Sequence, residues 1–351
     1  MPTTLLIVTD TLPPDPNGVA LIAVRTTALL GQDRDVHLFG PQGVRLPGRI
    51  RQTSVPRGPL GTDDCRLAWG GFCAVARAVR QSQHVVVHTL GPLGIAALFL
   101  ARWHDRESTL FLHNELPQLV KHTIGPSVHQ GWITRGAACL EQWAAAHATR
   151  VVSPASHAVA GHEVLQLAPP RFQGPPELPR TDDRLTIAYH GRVSREKALD
   201  ATIHAIAQAD PGKRRLGLRL IGGGSELEST LGLARSLAVP VEHVPWCPLP
   251  LQHVAPADVY VTASRTETYS IATLEAMGCG IPVVARRVGE IPHYVRHGET
   301  GLLFDRDEEL APLLARLADD GALRRKLAAG ARASARDRSI WAQFAIASVG
   351  A

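Results

Sequence analysis

Ser264 to Glu275, SRTETYSIATLE, joins a strand signal to a helix signal, and that junction decides the fold. Upstream, Asp258 to Ala263 (DVYVTA) has the β-branched and aromatic content of a strand; downstream, Ile271, Leu274, Met277 and Gly278 recur at helical spacing. Glu267 is therefore expected in the strand-to-helix turn. Glu275 is expected about two helical turns further on, which would set the carboxylates on the order of 10 Å apart. Ionised carboxylates accept hydrogen bonds and donate none, so a spaced pair suits a ligand rich in hydroxyls. One sugar is too short for that span; a nucleotide sugar, with ribose, diphosphate and hexose in line, is long enough. The helix start, with Thr268 and Ser270 as candidate caps, would aim free backbone N–H groups at the diphosphate. A simpler reading also stands, because acidic residues favour the positive end of any helix dipole.

A second segment adds charge of the opposite sign. Leu185 to His190 (LTIAYH) reads as a buried strand running into GRVSREK, Gly191 to Lys197, and then a helical pattern in Leu199, Ile203, Ala205 and Ile206. Arg192 and Lys197 bracket a turn at the carboxyl end of that strand, where ligands bind in open α/β sheets. A guanidinium fork and an ammonium together suit a diphosphate. A solvated basic loop is the alternative, but the chain has only four lysines (Lys121, Lys197, Lys213, Lys326), so a lysine here is not background.

Strand and helix signals alternate along the whole chain, which implies βαβ units and parallel sheets. A first α/β domain is expected over residues 1–166. Residues 167–182, within which Leu167 to Arg180 holds five prolines and a glycine, read as a linker. A second α/β domain is expected over 183–335, and 336–351 as a C-terminal helix that crosses back to the first domain. The architecture expected is two Rossmann-like domains facing across a cleft, with ligand at the strand carboxyl ends.

Two glycine-bearing loops bear on chemistry. Gly222-Gly223-Gly224 follows a strand and opens a helix, yet it lacks the third glycine of the dinucleotide fingerprint. Pro13-Pro14-Asp15-Pro16-Asn17-Gly18 follows the first strand, and Gly18 would let backbone N–H groups approach a phosphate; an ordinary turn into a helix is the alternative.

Composition narrows the classes further. The 351 residues carry 45% hydrophobic and 20% charged residues, an ordinary folded composition, and no apolar run long enough for a membrane span. The chain opens directly on a strand signal at Leu5 to Val8, so a cytoplasmic location is expected, with peripheral attachment to the inner membrane face compatible with the charge. The net charge of +5 suits anionic substrates or an anionic membrane surface; nucleic acid is not expected, since no basic helix accompanies it. Arg45, Arg49, Arg51 and Arg57 cluster in one stretch, a candidate acceptor- or membrane-facing loop or a plain solvated one. Five cysteines without C-x-x-C spacing are expected to be reduced and mostly buried. His293 and His297 share helical spacing but lack a third ligand, so no metal is expected.

These segments resemble the retaining nucleotide-sugar glycosyltransferases of family 4, which have the GT-B fold. The motifs are GRVSREK, IGGGSELE, ADVYVTASRTETYSIATLEAMGCGIPVVA and GEIPHYVRHGETGLLF, with VTDTLPPDPNGVA near the start. The resemblance implies that Arg192 and Lys197 hold the donor diphosphate and that Glu275 binds the ribose. Glu267 would hold hydroxyls of the donor sugar, aided by backbone N–H groups near Tyr269 and Ser270. Gly18 would lie by the phosphates, and His113 would match a histidine near the transferred sugar. Departures are Tyr269-Ser270 where relatives often have Phe-Gly, Ala198 for the glycine that commonly follows the lysine, and Asn114-Glu115-Leu116-Pro117 for the usual Thr-Asp pattern.

The expected activity is transfer of a hexosyl group from UDP- or GDP-hexose to a hydroxyl acceptor, without metal or other cofactor, in lipid, cell-envelope or polysaccharide glycosylation. A small natural-product acceptor, a non-catalytic sugar-nucleotide-binding protein and a nucleotide-dependent oxidoreductase are the competing readings.

Overall fold

A computed structural model of the chain describes residues 5–13, 15, 18–43, 45–46, 48–62, 65–113, 116–117, 129–153, 159, 164–166, 184–211, 215–247 and 250–335. They fall in two compact units, divided between residues 166 and 184. The expected linker, 167–182, and the expected C-terminal helix, 336–351, lie outside the described residues.

The first unit runs β1 (Leu5–Val8), α1 (Gly18–Asp33), β2 (Val36–Pro41), β3 (Ile50–Val55), β4 (Arg57–Thr62), β5 (Cys65–Ala68), α2 (Phe72–Gln81), β6 (His84–Val87), α3 (Pro92–Trp103), β7 (Glu107–Phe111), α4 (Gln130–His147), β8 (Arg150–Ser153) and β9 (Val164–Gln166). Seven strands pair in parallel in the order β3-β2-β1-β6-β7-β8-β9, and β4 and β5 form a separate antiparallel hairpin. The central strands β1 and β6 are largely apolar because helices cover both faces of a parallel sheet. LLIV of β1 is buried at every position. Each such side chain contributes roughly 1.5–3 kcal/mol relative to exposure.

The basic stretch at Arg45 to Arg57 is part of this fold rather than a free loop. Arg51 lies in β3 opposite His37 of β2, at the sheet edge. The Arg57 guanidinium donates to Asp15 Oδ2 at 2.7 Å, and Asp15 also accepts from the Leu12 N–H and the Thr11 hydroxyl. Sequence patterning missed β3 because its IRQTSV composition is that of a polar edge strand.

The second unit runs β10 (Leu185–His190), a 3₁₀ turn at Arg195–Lys197, α5 (Leu199–Ala209), β11 (Leu216–Ile221), α6 (Leu227–Ser236), β12 (Val241–Val244), α7 (Leu251–Val254), β13 (Val259–Thr262), α8 (Ile271–Gly278), β14 (Val283–Arg286), α9 (Ile291–Tyr294), β15 (Gly301–Phe304), α10 (Leu310–Asp319) and α11 (Gly321–Ala335). Its strands are parallel in the order β12-β11-β10-β13-β14-β15. Alternation along the strands splits the core in two. Ile187, Tyr189, Leu218 and Val261 pack with α5 and α10, while Ala188, Ile221, Tyr260 and Val283 pack with α7 and α8.

Both sheets therefore wind outward from a central pair, β1/β6 in one unit and β10/β13 in the other. In doubly wound folds the crevice beyond the carboxyl ends of that pair is the binding position. The sequence motifs fall there, since GRVSREK follows β10 and SRTETYS follows β13.

Of the four cysteines whose side chains are described, Cys279 is buried, Cys247 half-buried, and Cys73 and Cys139 exposed. The expectation of mostly buried thiols is thus corrected; the two exposed ones sit on outward faces of α2 and α4. Among the described residues no helix is long and apolar enough to cross a membrane.

Candidate active site

The loop after β10 is braced from three sides. Tyr189 Oη donates to the Arg192 carbonyl at 2.6 Å, and backbone bonds from Gly191 N to Ile221 O and from Val193 N to Gly223 O tie the loop to the segment after β11. This explains the glycine run at 222–224. A Cβ on Gly222 would overlap the Gly191 carbonyl, and one on Gly224 the Val193 carbonyl. The glycines let two chain segments touch, so the dinucleotide reading is replaced by a packing reason.

Within that loop Arg192 Nη2 donates to Glu196 Oε1 at 2.7 Å, which also accepts from Ser194 Oγ at 2.6 Å. Burial pushes the Glu196 carboxyl up, but the Ser194 hydroxyl and the Arg192 guanidinium outweigh it and hold it below its ordinary value. An ionised Glu196 thereby fixes Arg192 while leaving the other guanidinium N–H groups unspent. Ala198, where relatives commonly have glycine, has φ +49. The left-handed turn that ends the 3₁₀ segment is kept at the cost of a Cβ clash.

The loop after β13 meets the first one directly. Arg265 N–H donates to the Glu196 carbonyl at 2.8 Å, and Lys197 Nζ to Glu267 Oε1 at 2.8 Å. Glu267 precedes α8 by four residues, and Glu275 is the fifth residue of that eight-residue helix. The separation of two full helical turns expected between the carboxylates is corrected accordingly, because half the interval is loop. Of the two expected caps, Ser270 takes the N-cap position but not the capping bond. It has φ +50, and its hydroxyl pairs with Thr273 Oγ1 at 2.7 Å. The first N–H groups of α8, at Ile271 and Ala272, have no intrahelical acceptor. Tyr269 is buried, and its carbonyl accepts from Tyr294 Oη at 2.5 Å.

Two partners of this loop were not anticipated. Gly289, with φ +53, lies so close beneath the turn that a Cβ would overlap the Glu267 carbonyl, and Glu290 N–H donates to the Thr268 carbonyl at 2.9 Å. The glycine of GEIPHY was the available signal. His190, the last residue of β10, donates from Nε2 to Glu275 Oε2 at 2.8 Å. A histidine closing an apolar strand immediately before GR was visible, but nothing local named its partner 85 positions away.

In the first unit the structure treats the candidates differently. Gly18 opens α1 and is exposed; Pro14, Pro16 and Asn17 of its loop lie outside the described residues. His113 lies two residues past β7, stacked near Phe111, with Nε2 at 3.0 Å from His88 Nδ1. Its Nδ1 is buried and has no hydrogen-bond partner among the described residues, as is the case for His88 Nε2. Burial pulls His113 down to about 3, so it is a neutral imidazole. Asn114 and Glu115 lie outside the described residues. Asp10, which sequence reasoning missed, is fully buried and accepts from Leu93 N, Gly94 N and Thr89 Oγ1 at the start of α3.

Among the described residues no group of three His, Cys, Asp or Glu side chains is placed to hold a metal. His293 pairs with Glu290 at 2.6 Å, and His297 Nδ1 accepts from Leu303 N–H, so the two do not form a common ligand set.

Two doubly wound units, one carrying charged loops at its switch point, have the architecture of the GT-B fold. Residues 172–334 match the family model of the glycosyl transferases group 1. The D-inositol 3-phosphate glycosyltransferase of Thermomonospora curvata is 37% identical over 174 residues, covering 45% of this chain and 40% of that protein. The chain thus matches well under half the length of such relatives. The crystal structure of Anabaena HepE in complex with UDP and glucose superposes with a TM-score of 0.75 at 18% identity, over 98% of this chain and 97% of that one. WaaG, a glycosyltransferase involved in lipopolysaccharide biosynthesis, gives a TM-score of 0.77 at 17% identity, over 99% of this chain and all of that one.

Proposed function

We propose that this chain is a retaining, family 4-type hexosyltransferase that uses a nucleoside diphosphate hexose, UDP- or GDP-linked, as donor and a hydroxyl acceptor in lipid, cell-envelope or polysaccharide glycosylation. The observation that carries the reading is the Lys197–Glu267 pair at the β10/β13 switch point, with Arg192 on the same loop. It joins a cation suited to phosphate and a carboxylate suited to sugar hydroxyls within one hydrogen bond. Lysine has three N–H donors, so Lys197 can keep Glu267 and still reach a phosphate oxygen.

Negative charge grows on the diphosphate as the glycosidic bond breaks. Arg192, held by Glu196, and Lys197, held by Glu267, would stabilise that charge with little reorganisation, and the open N–H groups at the start of α8 would add to it. Glu275 would accept from the ribose and Glu267 from the hexose. The acceptor attacks from the face the diphosphate leaves, and a donor phosphate oxygen takes its proton, which gives retention without an enzymatic nucleophile. Neutral His113 would contribute by position and hydrogen bonding rather than by charge. The HepE complex with UDP and glucose supports a UDP-linked donor, and the name of the T. curvata relative, a D-inositol 3-phosphate glycosyltransferase, supports a hydroxyl-bearing acceptor.

The test is a panel of UDP-, GDP- and ADP-hexoses with nucleoside diphosphate release as the readout, followed by NMR of the product's anomeric configuration. Transfer should persist in excess EDTA. Failure with every donor, or an inverted product, would remove the proposal.

A further inference from the structure

His190 pairs with Glu275 but has no role of its own in the donor reading. His190 closes β10, is buried, and packs edge-on against Tyr260 of the neighbouring strand, with ring centroids 5.5 Å apart at 67°. Its Nε2 lies 2.8 Å from Glu275 Oε2. Its Nδ1 is buried and has no hydrogen-bond partner among the described residues. A proton placed on Nδ1 would have nothing to bond to, so the ring carries it on Nε2 and spends its one donor on Glu275.

The carboxylate is left with a single defined orientation. Glu275 Oε1 has no hydrogen-bond partner among the described residues, and the side chain keeps 14% of its surface exposed. Without His190 the carboxylate could turn about its terminal bond and the helix would present it in several poses. With it, the carboxylate plane is fixed before a ligand arrives, which is what bidentate recognition of two adjacent hydroxyls requires.

We infer that His190 is a positioning residue that locks Glu275 for the vicinal diol of a nucleoside ribose. The inference rests on the proposed donor site. It assigns His190 no contact with the ligand, because the imidazole is enclosed; the effect passes through Glu275.

The experiment compares calorimetric affinity for UDP and GDP with that for their 2′-deoxy forms, in the wild type and in His190→Ala, His190→Gln and His190→Asn, with circular dichroism as the folding check. The wild type should prefer the ribonucleotide by on the order of tenfold, the size of one charge-assisted hydrogen bond. His190→Ala should weaken the ribonucleotide about tenfold and leave the deoxynucleotide nearly unchanged, so the ratio falls toward one. His190→Gln, whose amide nitrogen reaches the Nε2 position, should keep most of the preference, and His190→Asn, which is too short, should lose it. If His190→Ala does not fold, the Gln and Asn variants decide the matter. An unchanged ratio in the Ala or Asn variant overturns the role of His190 while the donor site stands, provided Glu275→Ala abolishes the preference. If the wild type binds neither nucleotide, the donor reading and this inference fall together.

Discussion

The two units share one winding order and fill the corresponding position with opposite chemistry. In the first, the helix start beside the switch point is occupied by the protein itself: the buried Asp10 carboxylate accepts from Leu93 and Gly94 N–H at the head of α3. In the second, the start of α8 has no side-chain cap, and the loop leading into it carries Glu267, paired with Lys197 from the loop that also holds Arg192. A helix start plugged by a carboxylate is structure; one left open beside two cations can take an anion. Topology sets where a ligand can lie, and side chains decide whether one does.

The contrast breaks most readily at the cations. Arg192→Ala and Lys197→Ala should each lower turnover by about 10²–10³-fold, as removal of a preorganised charge on a leaving group does, with the unfolding temperature little changed. Near-normal rates in both variants would make the second switch point as structural as the first.

The first unit should respond to pH through stability. Burial lifts the Asp10 carboxyl to about 6 from an ordinary 3.8, so between these values the folded chain holds a proton that the unfolded chain releases. The contribution is full below about pH 4 and declines by about 3 kcal/mol as pH rises through 6. His113, pulled down to about 3, works the other way: its contribution is present above pH 6.5 and lost as pH falls. Urea midpoints across pH 4–8 for Asp10→Asn and His113→Gln should change slope in opposite senses, and His113 should show no NMR titration between pH 5 and 8.

The two glutamates sharpen the comparison within the second unit. Glu275→Ala should weaken free nucleoside diphosphate by roughly 10–100-fold, and Glu267→Ala should spare it while impairing the complete donor, each by the worth of a charge-assisted bond. Equal losses for the free nucleotide would exchange or merge their roles.

The smallest effect concerns backbone strain. Ala198 and Ser270 both have positive φ where relatives often carry glycine. Glycine at either should relieve roughly 1 kcal/mol of left-handed strain, partly offset by the entropy it adds to the unfolded chain, giving a rise in unfolding temperature of a few degrees or less. A fall would mean that the Ser270–Thr273 hydroxyl pair matters more than the strain.

Much of the second unit was legible because its signals are local. LTIAYH and DVYVTA are apolar strands bounded by turns, and the charges that follow each sit within a few residues of the strand end. The first unit was read less fully. Its edge strand β3 is polar, and α4 buries only Ala137, Glu141, Ala144 and Ala145, so periodicity gave no firm boundary there, whereas the helical spacing of Val75, Ala78 and Val79 in α2 was a readable signal. Asp10 was unreadable because an acid in a loop looks solvated until α3, 83 positions on, is packed over it.

What the sequence by itself determined is the alternation of strands and helices, and the kinds of charge that end β10 and β13. Those depend on side-chain period and turn chemistry, which are short-range. The pairings were decided only in three dimensions. Lys197 meets Glu267 and His190 meets Glu275 because β10 and β13 are neighbours in the sheet although about 70 residues separate them. The glycines at 222, 224 and 289 likewise have their reason in contacts between distant segments. Hydrogen bonds and van der Waals contacts act over a few ångströms, so which residues share them is fixed by packing and not by distance along the chain.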